Sequence, residues 1–314
     1  MLRFDTKNLR DVFGETLLEL GETYDNLVVL DGDLNTSTRT VLFKYKYPAR
    51  FVQCGIAEQN MFSIAAGLAL EGMIALPVTF AAFASRKALD QVYIGSCLNR
   101  ADVKIPGCYA GITAAECGAS HNTGEDLAIL RNMPYIKVAD PGDARELASI
   151  MQVMMKTPGP VYFRVPRVQA VSLFEDGHVF EWGKGYTMRE GKDLTLAGTG
   201  MMTGVMLKAA EMLTEKGIHA RVLHFGSVKP LDESLIVKAA RETGLIVTLE
   251  NGRVAGGFGS AVTETVCALS PARVIRMGIG DDVIGSDMIA PLMKQYGLRP
   301  RDVAETALDA LGKR

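Results

Sequence analysis

Cysteine is scarce, with five in 314 residues (Cys54, Cys97, Cys108, Cys117 and Cys267), an odd number without a C-x-x-C pair. That excludes a disulfide framework and a structural zinc site, and it fits a reducing compartment. An excess of charge of either sign is missing too, since 34 basic residues stand against 36 acidic ones for a net charge of −2. Nucleic acid and membrane surfaces are therefore excluded as the main partner, and a small molecule or another protein is expected. No apolar run approaches the roughly 20 residues needed to cross a bilayer, and the opening MLRFDTKNLRDVFG has no apolar signal region. The expectation is a soluble, cytoplasmic chain. Short-period repeats and low-complexity tracts are absent, as is a dinucleotide fingerprint. After Gly198-Thr199-Gly200 the third glycine is displaced to Gly204, and no acidic residue ends the next strand.

What is present is a 48% hydrophobic chain with apolar runs of two alternating kinds. Short runs such as Leu27–Leu30, Val103–Ile105, Ile136–Ala139, Leu194–Ala197 and Leu245–Leu249 read as buried strands. Stretches at helical spacing lie between them, including 6–21 (with Gly21 as its stop), Lys87–Leu98 (Leu89, Val92 and Tyr93 inward), Asp143–Met155, Val205–Lys216 and Glu233–Thr243. This alternation predicts an α/β fold of two consecutive parallel-sheet domains, over 1–175 and 193–314, joined by a linker at 176–192.

Gly55–Phe83, GIAEQNMFSIAAGLALEGMIALPVTFAAF, has the densest chemistry. Glu58 falls in the first turn of a small-residue helix, an apolar strand follows, and Phe80 and Phe83 lie three apart on the turn after it. A carboxyl group beside two aromatic faces suits a flat heteroaromatic ligand with a ring nitrogen. Asp31–Thr38 follows an early strand, where open α/β sheets bind ligands, so Asp33, Asn35 and Ser37 are placed to meet one. Its order, D-G-D, inverts the G-D-G opening of a diphosphate-binding motif, and no N-N partner follows it. The glycine-rich stretch Gly107–Asp126 is long for a loop and contains His121, and Arg164 and Arg167 end a proline-bounded strand where an anion could be held.

These stretches resemble a family. GIAEQNMFSIAAGLA, VTFAAFASRKALDQVY and ECGASHNTGEDLAILRNMP are similar to the pyrimidine-binding domain of transketolases and deoxyxylulose-phosphate synthases. LTLAGTGMMTGVMLKAAEML, FGSVKPLD and ENGRVAGGFGSAV are similar to the carboxyl-terminal domain of the same enzymes. The amino-terminal domain of a full-length transketolase, with its diphosphate motif and metal ligands, has no counterpart in these residues. The resemblance therefore implies the second subunit of a split transketolase, with a diphosphate-binding partner subunit in an α2β2 heterotetramer and self-association through this chain. It implies thiamine diphosphate as cofactor, with Mg²⁺ or Ca²⁺ held by the partner, and transfer of a two-carbon ketol unit between sugar phosphates.

The resemblance also implies roles. Glu58 would hydrogen-bond the aminopyrimidine N1′, Phe80 and Phe83 would enclose that ring, and Asp33 would meet the cofactor across the subunit boundary. Arg86 stands where some members have a tyrosine near the pyrimidine. Arg10, Arg167 and Ser37 would grip a phosphate or sulfonate, and His121 would contact the sugar near its reacting carbon. Cys117 replaces an aspartate that reads a sugar hydroxyl, a charged acceptor worth roughly 1.5 to 3 kcal/mol, so substrates outside the ordinary pentose-phosphate set are expected. The rival readings are a deoxyxylulose-phosphate synthase half, the β subunit of a 2-oxo acid dehydrogenase E1 component, and a non-catalytic subunit.

Overall fold

The structure, a computed structural model, describes residues 3–313. Among these residues twelve strands form, in chain order β1 (Leu27–Asp31), β2 (Phe51–Gln53), β3 (Ile74–Phe80), β4 (Lys104–Cys108), β5 (Lys137–Ala139), β6 (Val161–Val165), β7 (Tyr186–Arg189), β8 (Leu194–Gly198), β9 (Ala220–His224), β10 (Ser227–Lys229), β11 (Leu245–Arg253) and β12 (Arg273–Ile279). They form a seven-stranded sheet in the order β10-β5-β6-β4-β3-β1-β2 and a five-stranded sheet in the order β12-β11-β8-β9-β7. Pairing is parallel throughout except at one edge of each sheet, where β10 runs against β5 and β7 against β9. The stretch 176–192 thus contains β7, and β10 crosses from the second half of the chain to the first sheet.

Side-chain alternation along each strand divides the cores. Leu27 and Val29 of β1 face Leu9, Phe13 and Leu17 of helix Leu9–Thr23 and Leu147 and Ile150 of helix Ala144–Met154. Leu30 turns to the opposite layer, with Met61, Phe62 and Ala65 of helix Glu58–Leu70. The second sheet is covered likewise, by Met202, Met206 and Val303 on one face and by Ile236, Phe258 and Val262 on the other. Among the described residues no helix is long and apolar enough to cross a membrane.

Three local expectations are corrected. Gly21 does not stop the first helix, which continues to Thr23; a Cβ on Gly21 would lie 2.5 Å from the Tyr47 ring and 2.7 Å from the Phe43 ring. Tyr93 does not face inward but is exposed, because the helical segment after β3 widens to π turns over Phe83–Lys87 and Val92–Leu98, and each widened turn shifts the side-chain phase. Arg164 is not available to a substrate anion. It is 1% exposed, bonded through Nε and Nη2 to Asp126 at 2.8 and 2.5 Å, with Asp140 at 3.3 Å.

Candidate functional site

Because β1, β3, β4 and β6 are parallel, their carboxyl ends open on one side of the first sheet, and the residues just beyond them converge there. Phe80 is the last residue of β3 and Phe83 opens the following helical segment. Their rings stack with centroids 5.8 Å apart and planes 23° apart. Tyr109, one residue past β4, stacks on Phe80 at 4.4 Å. His121 meets both phenylalanines edge-on, at 5.8 and 5.2 Å, and its Nδ1 is 2.7 Å from Ser120 Oγ.

Glu58 enters from the neighbouring helix. Ala57 offers no capping side chain, so the carboxyl group in the first turn lies beside the unpaired amides and the positive end of the helix dipole. The residue is only 2% exposed, and its Oε2 accepts a 2.7 Å hydrogen bond from Lys87 Nζ. The same ammonium lies 4.9 Å from the Phe83 centroid, over the ring face, so Lys87 links the buried carboxyl group to the aromatic cluster.

The arginines form the other wall. Arg10 follows the Asn8 cap of the first helix, and its Nη1 donates to the Tyr109 hydroxyl at 2.9 Å and to the Ser37 carbonyl at 3.3 Å. Its Nε is buried without a hydrogen bond, with the Asp11 carboxylate 3.9 Å away, so the guanidinium keeps donor capacity in a half-buried place. Arg167, past the end of β6, sets its guanidinium 5.4 Å from the Tyr109 centroid. Ser37 contributes its main-chain carbonyl here, shared by Arg10 and Tyr109.

Three expected residues lie outside this cluster. Asp33, at φ 68°, exchanges hydrogen bonds with Gln53 beside the end of β1. Its loop is held instead by buried Asp31, which accepts from the Leu34 amide and the Thr40 hydroxyl, both at 2.8 Å. Burial pushes the Asp31 carboxyl above its ordinary range. Arg86 is committed to the His121 loop, through the carbonyls of Ser120 and Asn122 at 3.2 and 3.0 Å and through Glu125 at 3.2 Å. Cys117 is exposed on that loop. Among the described residues no group of three or more His, Cys, Asp or Glu side chains is placed to hold a metal ion.

Tyr109, Lys87 and Asn251 were not singled out from sequence. The signal for Tyr109 was positional, a tyrosine just beyond a buried strand. It sits at φ 59°, an unusual conformation for a bulky residue, held by the Phe80 stack and Arg10. Asn251, near the end of β11, crosses from the second sheet to bond the backbone at Ala110 and Ile112.

The buried carboxyl group, the ring stack and the free arginine donors fit an aminopyrimidine and an anionic sugar. The family model for the transketolase pyrimidine-binding domain matches residues 5–171, and that for the transketolase C-terminal domain matches 183–303. The 6-deoxy-6-sulfo-D-fructose transketolase subunit SqwH of Clostridium sp. strain MSTE9 is 37% identical, over 95% of this chain and 93% of its own length. An apulose-4-phosphate transketolase subunit of Phocaeicola vulgatus is 36% identical, over 97% of each. A solved structure described as a split gene transketolase, inactive beta4 tetramer, superposes with a TM-score of 0.90 at 40% identity, covering 98% of this chain and 99% of that one. With two domain models in tandem along it, this chain belongs to the transketolase family.

Proposed function

We propose that this chain is the pyrimidine-binding subunit of a split, thiamine-diphosphate-dependent transketolase that moves a two-carbon ketol unit from a ketose phosphate or sulfonate to an aldose. The observation that carries this reading is the buried Glu58 carboxyl group, joined through Lys87 to the Phe83 ring face. The chemistry supplied by bound thiamine diphosphate is nucleophilic cleavage beside a ketose carbonyl and delivery of the ketol fragment to an aldehyde. Glu58 holds the proton at the pyrimidine N1′. Phe80 and Phe83 present flat apolar faces to that ring and exclude water from it. Ser120 on His121 Nδ1 leaves Nε2 as the nitrogen that can bond a sugar hydroxyl. Arg10 and Arg167 receive the anionic end of the substrate. The diphosphate and its Mg²⁺ are held by the partner subunit, in an assembly of two copies of each.

The test is reconstitution of the chain with a diphosphate-binding subunit, thiamine diphosphate and Mg²⁺, screened against ketose and aldose pairs. Glu58→Gln is expected to lower hydrogen–deuterium exchange at thiamine C2 and turnover together, by about 10²-fold to 10⁴-fold. Full ketol transfer by the purified chain without a partner would overturn the split-subunit reading. C2 exchange unaffected by Glu58→Gln would remove Glu58 from its role.

A further inference from the structure

Asn251 belongs to the second domain, yet its side chain terminates in the first. β11 lies between β8 and β12, and Glu250 fixes its end by accepting from the Phe258 and Gly259 amides at 2.9 and 2.8 Å. The next residue, Asn251, is 3% exposed. Its Oδ1 accepts from the Ile112 amide at 3.0 Å, and its Nδ2 reaches the Ala110 carbonyl at 3.4 Å. The side-chain amide thus pairs with both flanks of Gly111 as a peptide unit of an adjacent strand would. Gly111 has φ +64°, and a Cβ there would lie 2.2 Å from the Asn251 amide. Asparagine and glycine therefore depend on each other.

Gly111 is also where both ends of the His121 loop meet. Two residues before it, Tyr109 stacks on Phe80 and bonds Arg10. The loop then runs out through Cys117 and His121 and returns to Thr123, whose amide donates to the Gly111 carbonyl at 3.1 Å. A shift of the Gly111 peptide would therefore displace the Tyr109 arm and the His121 arm together. Other anchors hold the outer part of the loop, with Ser286 Oγ donating to the Glu116 carbonyl at 2.7 Å, Asn122 Nδ2 to the Gly285 carbonyl at 3.0 Å and Arg86 to the Ser120 and Asn122 carbonyls, while the Arg253 amide donates to the Gly124 carbonyl at 2.6 Å, just beyond the loop's return.

We infer that Asn251 is a positioning residue, through which the second domain sets Tyr109 and His121 for the sugar steps without taking part in activation of the cofactor. This rests on the proposed function for the identity of the sugar steps, although the positioning itself can be read without it. An aspartate at 251 still accepts from Ile112 but turns an oxygen towards the Ala110 carbonyl, so Asn251→Asp opposes the clamp at nearly constant shape. Asn251→Ala removes both bonds.

The first measurement uses the chain without partner or cofactor. Amide hydrogen exchange at Ile112 and Thr123 should quicken by about 10-fold, the factor given by one lost hydrogen bond of ordinary net strength, while amides in β8 and β11 keep their rates. Uniform acceleration across the second domain would mean general destabilisation and overturn the inference, as would unchanged rates at both amides. The second uses the reconstituted complex. Both variants should lower kcat/KM for the ketose by about 10-fold to 100-fold, the scale of a small misplacement of contacting groups, with C2 exchange within about 2-fold of the original. A parallel fall in C2 exchange and sugar turnover would overturn the assignment to the sugar steps. If Asn251→Ala does not fold, Asn251→Asp carries both measurements, with exchange read at Thr123 alone because the carboxylate still accepts from the Ile112 amide. Failure of the Glu58→Gln test with the amide result intact would overturn the proposed function and leave the clamp standing.

Discussion

Glu58 is hidden while its partner Lys87 has a side chain 48% exposed, so the ion pair has one fixed member and one that can leave. A pyrimidine that bonds Glu58 at Oε2 replaces the ammonium there. Lys87→Ala is therefore expected to tighten thiamine diphosphate binding to the reconstituted complex, by at most about 5-fold because a half-exposed pair is worth little. Calorimetric titration would measure this, and weaker binding would make Lys87 a helper of the ligand. Arg167 lies exposed against the Tyr109 ring, where Arg167→Ala should raise KM for anionic acceptors about 10-fold or more and leave neutral ones nearly unchanged. Equal effects in steady-state kinetics would remove it from the anion site. At position 117, Cys117→Asp is expected to move preference towards ordinary sugar phosphates; an unaltered substrate profile would show that this position does not set selectivity.

At the scale of elements, the alternation of short apolar runs and helical spacings located nine of the twelve strands among the described residues to within a few residues, because burial on two faces leaves a continuous apolar signature, but missed β2, β7 and β10, which are three or four residues long and lie at sheet edges. Glu58, Phe80 and Phe83 were legible because they are near one another in sequence, on one helix, strand and turn. Tyr109 and Asn251 act through contacts across 99 and 139 residues, which no local pattern encodes. Arg164 misled for the same reason, since the acids that claim it come from two other elements. Tyr93 misled because a helix with π turns does not keep the 3.6-residue count. Gly21 marks a close approach of the Phe43 and Tyr47 rings to the first helix. Gly21→Ala should therefore cost about 1 to 3 kcal/mol of stability in denaturant titration, although alanine is the better helix former. A stabilised variant would mean that propensity outweighs the contact.

Across the whole molecule, the join between the domains is lined with buried titratable groups. Arg164 faces Asp126 and Asp140 from the first domain, Tyr162 donates to Asp126, and Glu250 approaches from the second, while His224 and Glu146 pair across the same boundary at 2.8 Å. Burial pushes the Glu250 carboxyl from an ordinary 4.5 up to about 7, and that of Asp140 to about 6. The folded chain thus keeps a proton on Glu250 that the unfolded chain releases above 4.5. The stability linked to that proton is complete below 4.5 and is lost as pH rises towards 7, a difference of about 3 kcal/mol. Glu250→Gln, which keeps the neutral form, should flatten the fall in unfolding free energy over that range relative to the unaltered chain. An equal slope in both would place the proton elsewhere.

β10 has a consequence for how such a chain can be cut or recombined. Although it follows β9 of the second domain, it closes an edge of the first sheet against β5. A break between the domains would leave two fragments stitched by main-chain hydrogen bonds, and the first fragment on its own would expose a bare strand edge open to aggregation. The two halves are thus a poor unit of exchange: a foreign second domain would have to bring an edge strand that fits β5 as well as a side-chain amide that fits the backbone around Gly111.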